Sequence, residues 1–116
     1  MNPAVVPRKL LFICSLNQWR SPTAERLFTN VPGYEARSAG THEGARVKVS
    51  TGHIGWADTI IVMERKHAER LREKFAAELA AKELLCLDIP DTYHFMDDEL
   101  IDLLKASLSL HGIELP

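Results

Sequence analysis

A cysteine and an arginine lie six positions apart in Cys14-Ser15-Leu16-Asn17-Gln18-Trp19-Arg20, and Ser21-Pro22 follows at once. Upstream, the apolar run Leu10-Leu11-Phe12-Ile13 leads straight into the thiol. A polar loop between a buried strand and a helix start aims backbone N–H groups at one spot, which makes an anion site. A cysteine sulfur there is favoured as the thiolate, because the helix dipole and a nearby guanidinium both stabilise negative charge. Arg20 offers a planar fork able to hold two oxygens of a phosphate at once. Nucleophile and clamp together suit in-line displacement at phosphorus. Ser21 is placed to hydrogen-bond the Cys14 sulfur. Asn17 is suited to a left-handed backbone or to tying the loop together. The expected phosphate-binding shell is therefore Ser15, Leu16, Asn17, Gln18, Trp19, Arg20 and Ser21.

Expulsion of an ester oxygen also needs a proton, and a carboxyl group on a facing loop would supply it. Asp91, just past Pro90, is the candidate. Asp88 sits directly after an apolar run and reads as structural. Asp97 and Asp98 read as negative charge at a helix N-terminus.

These side chains need a frame. Residues 9–13, 59–63 and 84–87 read as strands, short and rich in apolar or β-branched residues, and Tyr34 to Ala39, followed by Gly40, reads as a further strand. Ser21 reads as the cap of a first helix, with Pro22 in its first turn and Val31-Pro32-Gly33 at its end. A second helix over Ser50–Trp56 is weakened by Gly52 and Gly55. Residues 65–81 have strong helical propensity, and Leu100, Leu103, Leu104 and Leu108 mark the apolar face of a last helix. Alternating strands and helices predict an α/β fold: a three-layer sandwich around a four-stranded parallel sheet, with the phosphate-binding loop after the first strand. Ligands of such sheets bind beyond the carboxyl ends of the strands, where the loops carrying Cys14 and Asp91 both lie.

The length of 116 residues suits a single domain spanning 1–116. With 14 basic and 16 acidic residues and a net charge of −2, the chain lacks the basic footprint of a nucleic-acid binder. The N-terminal apolar run is too short for a membrane span and lacks a cleavage site, so a cytoplasmic protein is expected. Two cysteines make no disulfide framework.

The run from Cys14 to Pro22 resembles the phosphate-binding loop of the low-molecular-weight protein tyrosine phosphatases, whose pattern is Cys, five residues, Arg-Ser, with Asn third after the Cys and Pro after the Ser. Ser38-Ala39-Gly40-Thr41 resembles the segment after that family's second strand, and residues 57–63 resemble its third strand. Asp91-Thr92-Tyr93 falls where the family has Asp-Pro-Tyr. The resemblance implies hydrolysis of phosphotyrosine or another aryl phosphate through a phosphocysteine intermediate, without metal or other cofactor. It implies Cys14 as nucleophile, Arg20 as clamp and Asp91 as general acid. The partner would be a phosphotyrosine protein or a small aryl phosphate, with no nucleic acid and no membrane. Phosphoarginine also suits a narrow pocket above such a loop. Departures from the pattern are Leu16 in place of Gly, Trp19 in place of a second cysteine, Thr92 in place of Pro, and a shorter segment between Thr41 and Ala57. Two other functions share this loop design: a thiol-dependent arsenate reductase and a phosphate-binding module without turnover.

Several residues keep two readings. Trp19 and Tyr93 are either walls of a substrate pocket or ordinary packing aromatics. Ser38 either braces Asn17 or is an ordinary strand-end serine. Cys86 is either core or a disulfide partner of Cys14 under oxidation. The five histidines, His42, His53, His67, His94 and His111, lack ligand spacing and read as solvated or capping. The Glu/Lys/Arg run at 64–74 reads as a solvated helix face.

Overall fold

The computed structural model describes residues 6–115. Its elements are β1 (Arg8–Cys14), α1 (Arg20–Leu27), β2 (Tyr34–Gly40), α2 (Thr51–Trp56), β3 (Thr59–Val62), α3 (Arg65–Leu79), β4 (Glu83–Cys86) and α4 (Asp98–Leu110). The strands form one parallel sheet in the order β2-β1-β3-β4. The expected α/β architecture is thus present. No helix among the described residues is long and apolar enough to cross a membrane.

The alternation of side chains along β1 separates two cores. Leu10, Phe12 and Cys14 join Ala24 and Phe28 of α1, Leu100, Leu104 and Leu108 of α4, and Ile61 of β3. Leu11 and Ile13 point the other way, to Ile54 of α2, Leu71 of α3, and Ile60 and Val62 of β3. Both central strands are buried on both faces, which is why they read as continuous apolar runs. Cys14 therefore ends β1 on the α1/α4 side.

The first helix begins earlier than its Ser-Pro signal suggests. Arg20 is its first residue, and Trp19 in the capping position makes no side-chain cap. Ser21 is not the cap because its hydroxyl is used by the loop. Pro22 still lies in the first turn, where a missing N–H costs nothing. The short α2 forms despite its glycines because Ser50 and His53 cap each other reciprocally. A kink at Phe75 interrupts α3.

The end of β2 presses on the loop that follows β1. A Cβ on Gly40 would stand 2.5 Å from the Ser15 carbonyl oxygen, 2.7 Å from the Ala45 Cβ and 3.1 Å from the Asn17 nitrogen. A methyl group on Gly55, inside α2, would meet open space, with nothing within 4 Å. Opposite effects are expected. Gly40→Ala should destabilise by about 1–3 kcal/mol through overpacking. Gly55→Ala should stabilise by about 0.5–1 kcal/mol through helix propensity. Urea midpoints of the two variants would check this, and a common sign would refute it.

Candidate active site

The loop from Cys14 to Arg20 is shaped by its carbonyls. Thr41 N–H donates to the Cys14 carbonyl at 3.0 Å and His42 N–H to Ser15 at 3.0 Å. Arg46 N–H donates to Leu16 at 2.9 Å, and Arg46 Nε to the Asn17 carbonyl at 2.9 Å. These acceptors all face the segment after β2. In a trans peptide the next N–H points the opposite way, so the amides of Ser15, Leu16, Asn17 and Gln18 turn inward. The Asn17 amide shows it directly, donating to Cys14 Sγ at 3.3 Å. Asn17 has φ of 56°, the left-handed value that Asn tolerates, whereas Leu16 does not share that conformation. A leucine in place of glycine is therefore accommodated without strain.

Beneath the loop runs a directional chain of hydrogen bonds. Ser38 gives its one proton to Glu25 Oε1. Its oxygen must then accept, and Asn17 Nδ2 donates to it at 2.8 Å. This fixes the orientation of the Asn17 amide, whose second Nδ2 proton goes to Ser21 Oγ at 2.8 Å. Ser21 is left with its own proton for Cys14 Sγ, 2.9 Å away. A carboxylate two serines and an asparagine away thus sets a proton donor against the sulfur. Asn17 Oδ1 is left buried without a partner among the described residues, at a cost of about 1–3 kcal/mol. The brace between Ser38 and Asn17 is present; Glu25 carried no signal in the sequence beyond an ordinary helical charge.

Arg20 is 2% exposed. Its Nη1 donates to Glu64 Oε2 and to the Ile89 carbonyl, each at 2.9 Å. With both Nη1 protons held, Nε and Nη2 remain as the fork that faces the cleft. Asp91 Oδ1 lies 3.6 Å from Nε. Partial burial works against the charge of Glu64, but the hydrogen bond and charge of Arg20, with Lys66, outweigh it and hold the carboxyl below its ordinary value.

His67 supports the other side of the loop. Its Nδ1 accepts from the Glu64 amide at 3.0 Å, so the neutral ring carries its proton on Nε2. That proton is directed at Ser15 Oγ, 2.9 Å away. Burial, then the charge of Arg20, lower the His67 pKa to about 4. Reading the 64–74 run as a solvated face missed both Glu64 and His67. Their neighbours Arg65 and Lys66 are exposed, so only the first turn of α3 departs from that reading.

Cys14, Leu16, Gln18, Trp19, Arg20 and Asp91 line one cleft. Trp19 is a wall of it and also packs against His94 in a tilted arrangement, ring centroids 4.9 Å apart and planes at 55°. Tyr93 does not join them. It packs against the α1/α4 core and borders a surface depression with Glu99, Asp102 and Leu103. The connection before α4 turns Tyr93 toward the core and leaves His94 exposed against Trp19, so neither ring lines the cleft. That connection is pinned to α1 by Met96 N–H donating to Thr23 Oγ1 at 2.9 Å. Asp88 is left-handed and exposed, outside the cleft.

A disulfide between Cys14 and Cys86 is excluded by register. Ile13 pairs with Val62 and Val62 with Cys86, so two interstrand spacings, about 9–10 Å, intervene. Bridged Cα atoms need less than about 7 Å. Cys86 also faces the α2/α3 core, opposite Cys14. Burial, followed by the neighbouring Asp88 side chain, raises its pKa.

No protein-family model matches the sequence. The chain is 30% identical to a protein-arginine-phosphatase of Geobacillus stearothermophilus, over 60% of this chain and 64% of that protein's length. Solved structures are more widely similar. The YwlE arginine phosphatase of G. stearothermophilus superposes with a TM-score of 0.67 at 22% identity, covering 91% of this chain and 94% of its own. The tyrosine phosphatase Wzb of Escherichia coli K30 gives 0.74 at 22%, covering 92% and 97%. A low-molecular-weight protein tyrosine phosphatase of Streptococcus pyogenes gives 0.71 at 17%, covering 90% and 91%. The resemblance read in the loop extends to the whole fold: this is the low-molecular-weight phosphatase fold.

Two outcomes are expected from the hydrogen-bond geometry. His67 folds neutral, with its pKa below the unfolded value near 6.5. Its contribution to stability is full above pH 6.5 and is lost as pH falls toward about 4, a change on the order of 3 kcal/mol. Thermal midpoints of wild type and His67→Gln should therefore converge with acidification; a constant gap would refute this. Separately, Glu25→Gln should slow carboxymethylation of Cys14 at fixed pH, because a neutral amide no longer compels Ser38 to donate. An unchanged alkylation rate in the folded variant would count against the proton chain.

Proposed function

We propose that the protein is a cysteine-dependent phosphatase acting on phosphorylated protein side chains, with phosphotyrosine or another aryl phosphate as substrate. The observation that carries this is the placement of Cys14 Sγ, hydrogen-bonded by the Asn17 amide and beside Ser21, in one cleft with Arg20 and Asp91. In this reading the thiolate attacks phosphorus while inward amides and the Nε/Nη2 fork hold the equatorial oxygens. The bond from phosphorus to the leaving oxygen breaks as Asp91 protonates that oxygen. The Asp91 carboxylate then takes a proton from the water that attacks phosphocysteine, the P–S bond breaks, and the thiolate returns. Positive charge comes from guanidinium and amides, so no step calls on a metal. The half-exposed Leu16 and Trp19 at the cleft mouth suit an aromatic ring.

Phosphoarginine is the second reading, favoured by the name of the curated relative. In that case the leaving atom is nitrogen and Asp91 protonates it. An intrachain arsenate-reductase relay has no support, since Cys86 lies on the opposite face of the sheet.

The test is p-nitrophenyl phosphate hydrolysis at mildly acidic pH with EDTA present. Wild type should turn over and Cys14→Ser should not. Asp91→Asn should lower kcat by about 10²–10⁴ on phosphotyrosine, and less on p-nitrophenyl phosphate, whose phenolate leaves more easily. Phosphotyrosyl and phosphoarginyl peptides assayed in parallel decide the side chain. Well-folded wild type that binds phosphate without turnover would instead indicate a binding module.

A further inference from the structure

A second groove opens beside the catalytic cleft. It has a volume of about 410 Å³ and shares Gln18 with the cleft. Its walls include Arg26, Arg46, Glu25 and Phe95. The Nε of Arg46 is held by the Asn17 carbonyl, which leaves the end of its fork for the groove. Arg26 stands exposed in the last turn of α1. Among the described residues, no carboxylate lies within 4.0 Å of either guanidinium. Glu25 contributes one negative charge, but its carboxylate is turned to Ser38 beneath the loop. The chain as a whole has a net charge of −2, so this pair of unneutralised arginines is a local feature. Phe95, 49% exposed, completes the rim.

We propose that this groove is a subsite for an acidic residue adjacent to the phosphorylated residue of a polypeptide substrate. The inference rests on the phosphatase reading and adds a preference to it. Gln18 lies in both depressions, so the groove borders the cleft, and a chain whose phosphorylated side chain enters the cleft can lay the adjoining residue over the groove. An extended backbone advances about 3.3 Å per residue, which places a neighbouring side chain within reach of Arg26 and Arg46. Their forks suit a carboxylate, and the exposed phenyl ring covers the aliphatic part of that side chain. A small aryl phosphate fills the cleft alone and gains nothing from the groove.

Three peptides, with Glu, Ala or Lys on both sides of whichever phosphorylated residue is turned over, would test this. Rates are measured with wild type, and affinities with Cys14→Ser, which reports binding without turnover. At low salt the Glu peptide should exceed the Lys peptide by about three- to tenfold in kcat/KM and in affinity. The ratio should shrink as salt is raised. Arg26→Glu should reverse the order while leaving p-nitrophenyl phosphate hydrolysis within about twofold of wild type; circular dichroism checks its fold, and Arg26→Ala, which leaves Arg46 in place, should weaken the preference. Equal handling of the three peptides, or a preference untouched by both Arg26 variants, overturns the subsite. If p-nitrophenyl phosphate is hydrolysed while the peptides are not discriminated, only the subsite falls. If neither turnover nor phosphopeptide binding occurs, the phosphatase reading falls with it.

Discussion

A permanently charged guanidinium buried to 2% exposure sets the terms for the rest of the site. Arg20 cannot shed its proton, so the fold must supply partners or accept a large desolvation cost. It supplies them from two directions: the Glu64 carboxylate at the end of β3 and the Ile89 carbonyl beyond β4. Both acceptors use the same nitrogen, Nη1. That choice leaves the remaining edge of the fork turned toward Cys14 and Asp91. Burial alone would place a charge near the thiol; the two anchors give it an orientation. They also require that β3 and β4 stop where they do, because a one-residue slip in either strand would reverse the direction of every side chain after it.

The sulfur is governed from the opposite side by a different device. Glu25, Ser38, Asn17 and Ser21 pass a preference for proton direction along a line of short contacts. Each hydroxyl has one proton, so a fixed acceptor at one end dictates the donor at the other. Glu25 sits one turn into α1, and Ser38 lies in the last half of β2. The chain therefore also fastens helix to strand beside the loop. Electrostatic control of the thiol and mechanical support of the loop are the same set of bonds.

Much of this could be read beforehand. The apolar runs identified β1 and β3 most clearly, because central parallel strands are buried on both faces and have no reason to alternate; β2 and β4 are the edge strands, and β2 alternates between half-buried and exposed residues before its buried end. The Cys-to-Pro stretch gave the loop, since strand, polar turn and helix start follow one another without a gap. Other parts could not be read. Glu64 and His67 look like their exposed neighbours Arg65 and Lys66; only the docking of the first turn of α3 against the loop distinguishes them. Ser21 has the composition of a cap, yet the loop claims its hydroxyl. Tyr93 and His94 are adjacent aromatic rings, and the backbone between Asp91 and Met96 decides which one meets Trp19. The Cys14–Cys86 bridge depended on strand order, which spacing along the chain does not contain.

The connection after β2 shows how a short segment can support such a loop. Its bonds to the carbonyls of Cys14, Ser15 and Leu16 come from backbone amides, and only the bond to Asn17 uses a side chain. Backbone donors depend on path and closeness rather than on residue type. Gly40 supplies the closeness: it lets β2 run against the Ser15 carbonyl at a distance no Cβ would permit. Beyond Arg46 the chain need only return to the sheet, and a six-residue α2 closed by Ser50 and His53 is enough. A short path between Thr41 and Ala57 therefore suffices to hold the loop, provided residues 40–46 keep their course. The same segment forms the ground beside the cleft, where Arg46 ends with its fork open to the groove it shares with Arg26.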